Sequence, residues 1–168
     1  RHGLSAGETL PAAVAEAWTA ATGKPIFEAL GMSEVSTYLS FSPESPPVPG
    51  RAGRPQPGRR VAILPETREA PLERGVDGLL AVDRRDPGLM LGYWRRPEET
   101  AAAFRGEWFL TGDRARMEDD GAIVHLGRQD DLMNAGGFRL SPAEVEDALA
   151  TLSGAGEVAV TELAVPSG

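Results

Sequence analysis

No cysteine occurs among the 168 residues. That excludes disulfides, thiolate metal sites and a cysteine nucleophile. Lysine is nearly as scarce: Lys24 stands alone, and the remaining basic side chains are arginines. No apolar run approaches the roughly 20 residues that a membrane-spanning helix needs. No signal-peptide pattern opens the chain, so a soluble, cytoplasmic protein is expected. Positive charge is also short. Seventeen basic residues face 25 acidic ones, for a formal charge of −8. Such a chain is not expected to bind nucleic acid or an anionic membrane surface. The first residue is Arg1 rather than Met, so an upstream part is expected to be missing.

What is present suffices for a core, with 41% hydrophobic residues. The length suits one ordinary domain or parts of two. Thr9 to Ala21 reads as a helix, with Val14, Ala17, Trp18 and Ala21 on one face and Gly23 as its stop. Pro25 to Ala29 reads as a short strand. Residues 42–59 hold many prolines and read as an irregular connector. Val61–Leu64, Leu79–Val82 and Ala122–Leu126 read as strands, the last following a turn at Asp119-Asp120-Gly121. Pro97 and the glutamates after it suit a helix start. Leu132–Met133 and Phe138–Leu140 flank Gly136-Gly137 as a hairpin. Ser141 to Leu152 is the strongest helix, with Ser141 and Glu144 as a capping box. Glu157–Val165 reads as a closing strand. The fold class is α+β, without an internal repeat.

Three segments carry chemistry. In Glu28 to Glu34, EALGMSE, a glycine turn after a strand gathers a backbone amide, the Ser33 hydroxyl and the Glu34 carboxylate. Ser33 could donate to a phosphate oxygen and Glu34 could hold magnesium. By itself the segment reads more simply as a turn with a solvated Glu. In Trp108 to Asp113, WFLTGD, a strand end delivers a carboxylate beside a glycine, able to accept both hydroxyls of a ribose. By itself it too reads as a structural turn. In Gly127 to Glu146, GRQDDLMNAGGFRLSPAEVE, an Arg and two carboxylates precede a glycine pair, an Arg and a capped helix. Gly136 and Gly137 allow a hairpin backbone to approach a ligand closely. The plain alternative is a structural hairpin–helix unit. His125 reads as packing or surface, and Asp119-Asp120 as a hairpin turn rather than a metal pair.

Together, and in this order, these segments resemble the signatures of the adenylate-forming enzymes: acyl- and aryl-CoA synthetases, luciferases and peptide-synthetase adenylation domains. SAGETLP, GMSEV and the proline-rich stretch look closest to benzoate-type CoA ligases. The resemblance implies roles for named positions. Gly7 and Glu8 would lie under adenine. Leu30 stands where an aromatic usually stacks on adenine, and Gly31 precedes the phosphate contact. Ser33 and Glu34 would serve phosphate and magnesium as the catalytic pair. Asp113 and Arg128 would bind the ribose. Asp130 would be the hinge of a small C-terminal domain, and Gly136 and Gly137 would line the passage for CoA. GYWRRPEET matches a segment whose role is mostly structural. Asn134 departs from the common Lys at its place.

The implied division is residues 1–127, the adenine and ribose side of a large N-terminal domain, and residues 128–168, the hinge and beginning of the small domain. The first part would hold the end of an α/β subdomain and a small β-rich subdomain, and the second the start of a truncated α+β domain. The family's phosphate loop and its catalytic Lys have no match in the chain. The implied function is a fragment of an ATP-dependent carboxylic acid–CoA ligase, inactive alone. It would use ATP, Mg2+ and CoA on a small carboxylic acid, in the aryl class by the closer resemblance, with the remainder of the enzyme as partner. The alternatives are the adenylation domain of a peptide synthetase, marked by a downstream carrier domain, and a non-catalytic nucleotide-binding fragment.

Overall fold

The computed structural model describes residues 2–7, 10–48, 50–129, 133–135, 138–140, 142–150 and 158–161. The first sheet contains β1 (Gly3–Ala6), β2 (Ile26–Met32), β3 (Ser36–Ser40) and β4 (Arg54–Pro55), in that order. Helix α1 (Ala12–Thr22) connects β1 to β2, which run parallel, as a helical crossover requires. Gly23 closes the helix in the left-handed conformation, and its N–H reaches the Thr19 carbonyl at 2.9 Å. The expected apolar face of α1 is not buried: Val14 and Trp18 are exposed. The strand expected at Pro25–Ala29 runs on to Met32, because β3 turns back and pairs along its far end. The proline-rich connector carries one short strand, β4, at the sheet edge, where Pro55 is tolerated.

The second sheet contains β5 (Val61–Leu64), β6 (Asp77–Asp83), β7 (Phe104–Arg105), β8 (Trp108–Met117) and β9 (Ile123–Arg128). The order is β5-β6-β8, with β7 and β9 pairing different ends of β8. Helix α2 (Pro97–Ala102) precedes β7, and Pro97 takes a first-turn position as expected. Strand β6 is apolar and buried on both faces. Leu80 and Val82 join Val35, Tyr38, Leu39, Ile63, Phe109, Ala115 and Ile123 in one core. Leu79 and Ala81 join Ala62 and Leu64 in the other. The first core takes residues from both sheets, so the β2–β3 turn is packed onto β8 by hydrophobic burial. A bridge between Gly53 and Ile123 ties the two sheets at their edge.

A hairpin of β10 (Met133–Ala135) and β11 (Phe138–Leu140) follows, and then helix α3 (Pro142–Ala150). Both elements match expectation. The strand expected at Glu157–Val165 does not appear among the described residues 158–161, where the Val160 N–H is drawn instead to the Glu146 carboxylate at 2.9 Å. The mixture of sheets and short helices is an α+β arrangement. No helix among the described residues is long and apolar enough to cross a membrane.

Candidate functional site

Two β-bulges carry several of the sequence-predicted residues. In the first, Leu30 pairs with Leu39 and Gly31 with Thr37, so Tyr38 is an extra residue in β3. The bulge lets Tyr38 and Leu39, adjacent in sequence, both be buried. Gly31 makes the close approach possible: a Cβ there would stand 2.7 Å from Ser36 O and from Thr37 Cα. Leu30 packs on the core below. The turn then exposes Ser33 and half-buries Glu34. Val35 is fully buried and anchors the turn from beneath. Gly7 follows the end of β1 with φ +104°, at the end of the parallel pair where Leu30 lies.

The second bulge carries Asp113. It does not sit at a strand end, as expected, but in the middle of β8. Leu79 pairs with Arg114 and Ala81 with Leu110, so Thr111, Gly112 and Asp113 together oppose Leu80. Gly112 adopts φ +80°, a conformation that disfavours a side chain. Thr111 locks the bulge: its hydroxyl donates to Leu80 O at 3.0 Å and accepts the Asp113 N–H at 3.1 Å. The Asp113 side chain is only 10% exposed. Arg128 Nη1 lies 3.7 Å from its Oδ1 and donates to Thr111 O at 3.2 Å. His125 Nε2 lies 3.4 Å from the same oxygen. His125 is therefore a surface residue, as expected, but one placed against the candidate carboxylate. Its sequence signal is only the register, since β9 runs antiparallel to β8 with His125 opposite Ala115.

Tyr38 links the two bulges. Its ring is buried, and its hydroxyl has no hydrogen-bond partner among the described residues. The Thr111 hydroxyl is close enough to weigh on its ionisation without meeting hydrogen-bond geometry. Burial above all, and then the Asp113 charge, push this phenol well above its ordinary value, so it stays neutral. Arg128 acts weakly in the opposite direction on Tyr38 and also on Tyr93.

Sequence reasoning took GYWRRPEET as scaffolding and missed Tyr93, whose hydroxyl donates to Glu34 Oε1 at 3.0 Å. Among the described residues no group of three or more His, Cys, Asp or Glu could hold a metal by itself. One carboxylate is the donor set that suits Mg2+, which keeps several waters and shares phosphate oxygens instead of entering a protein cage. Asp119 and Asp120 form the expected turn, and Asp120 is engaged by Arg51 and Arg54. Glu8, Asp130, Gly136 and Gly137 lie outside the described residues.

Comparison with known proteins adds a lineage to this geometry. The model of the AMP-binding enzyme family matches residues 1–94. The chain is 36% identical over 160 residues to 3-hydroxybenzoate–CoA ligase of Aromatoleum sp. (strain CIB), a match covering 95% of the chain and 30% of the relative. ATP-bound MatB from Rhodopseudomonas palustris has a TM-score of 0.82 and 35% identity, covering 96% of the chain and 32% of that structure. The o-succinylbenzoate coenzyme A synthetase of Bacillus subtilis, solved with ATP and a magnesium ion, has a TM-score of 0.79 and 30% identity, covering 96% and 33%. The chain thus spans about a third of the length of these proteins.

Proposed function

The chain belongs to the AMP-binding enzyme family, the adenylate-forming enzymes, and from that premise we propose that it is the nucleotide-side segment of an ATP-dependent carboxylic acid–CoA ligase. The acid attacks the ATP α-phosphate, pyrophosphate leaves, and the CoA thiol then displaces AMP from the acyl adenylate. Catalysis of this kind is mostly positioning and charge stabilisation. The observation that carries the reading is Asp113: a nearly buried carboxylate on a glycine-opened bulge, bracketed by Arg128 and His125. Such a carboxylate accepts the two hydroxyls of a ribose, and Arg128 holds it in place from the side.

The other residues take the roles that the family resemblance implies for them. Gly31 lets the Ser36–Thr37 backbone close against β2 and so sets the shape of the turn, with Leu30 against adenine and Gly7 and Glu8 beneath it. Ser33, exposed at the turn, donates to an α-phosphate oxygen. Glu34 would hold Mg2+, which supplies charge neutralisation on the phosphates. Asp130 is the pivot between residues 1–127 and 128–168, and Gly136 and Gly137 admit CoA. An aromatic acid as substrate is favoured by the name of the Aromatoleum relative. The phosphate loop and catalytic Lys would be supplied by the remainder of a cytoplasmic enzyme, so the 168 residues alone are expected to show no turnover.

The test is Asp113→Ala in the full-length enzyme that carries this segment. Losing a charged, bidentate acceptor should cost about 1.5–3 kcal/mol of ATP binding, with adenylation falling in step. Equilibrium ATP binding and acid-dependent pyrophosphate exchange measure the two. An ATP affinity equal to that of the unaltered enzyme removes Asp113 from the site.

A further inference from the structure

Tyr93 owes its place beside Glu34 to a run of local constraints. Gly92 has φ +146°, and a Cβ on it would meet Thr100 Cγ2 at 3.0 Å. The Thr100 hydroxyl accepts the Tyr93 N–H at 2.9 Å and donates to Arg96 O at 2.7 Å. Pro97 starts α2 without an N–H to satisfy. The other end of the loop is fastened to the same turn. Met90 N donates to Glu34 O at 2.6 Å. Gly88 backs so closely on Val35 O that a Cβ would stand 2.7 Å from it. Buried Asp86 pairs with Arg59, which donates to Thr37 O at 2.9 Å. Residues 86–100 therefore brace the Glu34 turn at its backbone and, through Tyr93, at its carboxylate.

We propose that Tyr93 is a positioning residue for Glu34: its hydroxyl engages one carboxylate oxygen and leaves the other for the magnesium ion of Mg·ATP. This rests on the reading that Glu34 serves that ion. The chemistry favours a phenol for the task. A glutamate side chain loses rotamer freedom when it binds, and a bond formed beforehand lowers that cost. Arg or Lys would fix the carboxylate but cancel the charge that attracts a cation, whereas a neutral hydroxyl keeps it. The hydroxyl also remains a donor. Among the described residues, the Tyr93 hydroxyl engages Glu34 through Oε1.

The experiment titrates Mg2+ against binding of a fluorescent ATP analogue in the full-length enzyme, with an EDTA arm for metal-free binding. Tyr93→Phe keeps the ring and removes only the hydroxyl. The Mg2+ concentration for half-maximal binding should rise about five- to tenfold, the worth of one ordinary hydrogen bond at an exposed side chain. Metal-free affinity should not change, which also shows that the variant is folded. Glu34→Gln should abolish the gain in affinity that Mg2+ gives. If Glu34→Gln abolishes it while Tyr93→Phe leaves the titration unmoved, Tyr93 positions nothing and the role of Glu34 survives. If Glu34→Gln keeps the full Mg2+ effect, the role of Glu34 fails and the proposal with it. Equal weakening of metal-free and metal-bound affinity by Tyr93→Phe would mark a general packing defect and overturn the proposal.

Discussion

Gly31 shows how single atoms decide whether the site exists. The atoms a Cβ would meet there are main-chain atoms of Ser36 and Thr37, both at 2.7 Å or slightly beyond. Main chain in a paired strand cannot swing aside as a flexible side chain can. Gly31→Ala must therefore spread β2 from β3 or unpair them, and overpacking of this kind typically costs about 1–3 kcal/mol. Denaturant unfolding of the 168-residue chain should show a lower midpoint with an unchanged slope. A midpoint equal to that of the unaltered chain would mean that the bulge at Tyr38 absorbs the methyl group. The glycine in GMSE was visible in the sequence, and so was its use in a turn. That it faces a bulged partner was not visible, because a bulge breaks the two-residue alternation on which strand reading depends.

Strand β6 makes the same point for a whole segment. Its apolar run gave it away, yet its true length extends to Asp77 and Asp83, two charged ends that hydrophobic pattern excludes. Asp83 is buried because partners come to it. The Arg85 N–H and Nε donate to its Oδ1 at 2.8 and 3.0 Å, and Arg60 Nη1 stands 2.7 Å from its Oδ2. The bond from the Arg85 side chain, before the other contacts, lowers its pKa from 3.8 to about 2. A depressed carboxylate stabilises the fold above its unfolded value and ceases to do so as pH falls through the folded one. The contribution should be complete above pH 4 and vanish between about pH 4 and pH 2. Asp83→Asn should therefore lower stability at pH 7 and converge with the unaltered chain near pH 2. Parallel stability–pH curves for the two would show that Asp83 gains nothing from its arginines. Strand β8 was misread in a related way. WFLTGD looked like a strand that ends at Asp113, since Gly-Asp is a common strand terminus. In fact the strand resumes after the bulge, because Ala115 is buried and β9 pairs on through Met117.

Across the chain, two of the chemically readable segments, Glu28 to Glu34 and Trp108 to Asp113, lie in different sheets that share one hydrophobic core. The sequence displayed which residue types carry the chemistry. It did not display Tyr38, Tyr93 or His125 as their neighbours, since each arrives by register or loop closure. The proposed division at residue 128 adds a prediction about motion. If the two parts turn about Asp130, the backbone torsions of that residue must change between adenylate formation and thioester formation. Proline fixes φ near −65° and removes the N–H, so Asp130→Pro in the full-length enzyme should hold one orientation. Adenylation should survive, because Asp113, Arg128, Ser33 and Glu34 are untouched and one orientation serves that step. Thioester formation should fall by at least about 100-fold, a barrier increase of roughly 2.7 kcal/mol. Acid-dependent pyrophosphate–ATP exchange reports the first step and acyl-CoA release the second. Equal losses would indicate a folding defect. Retention of both would make Asp130 an ordinary linker residue and place the pivot, if there is one, elsewhere in the chain.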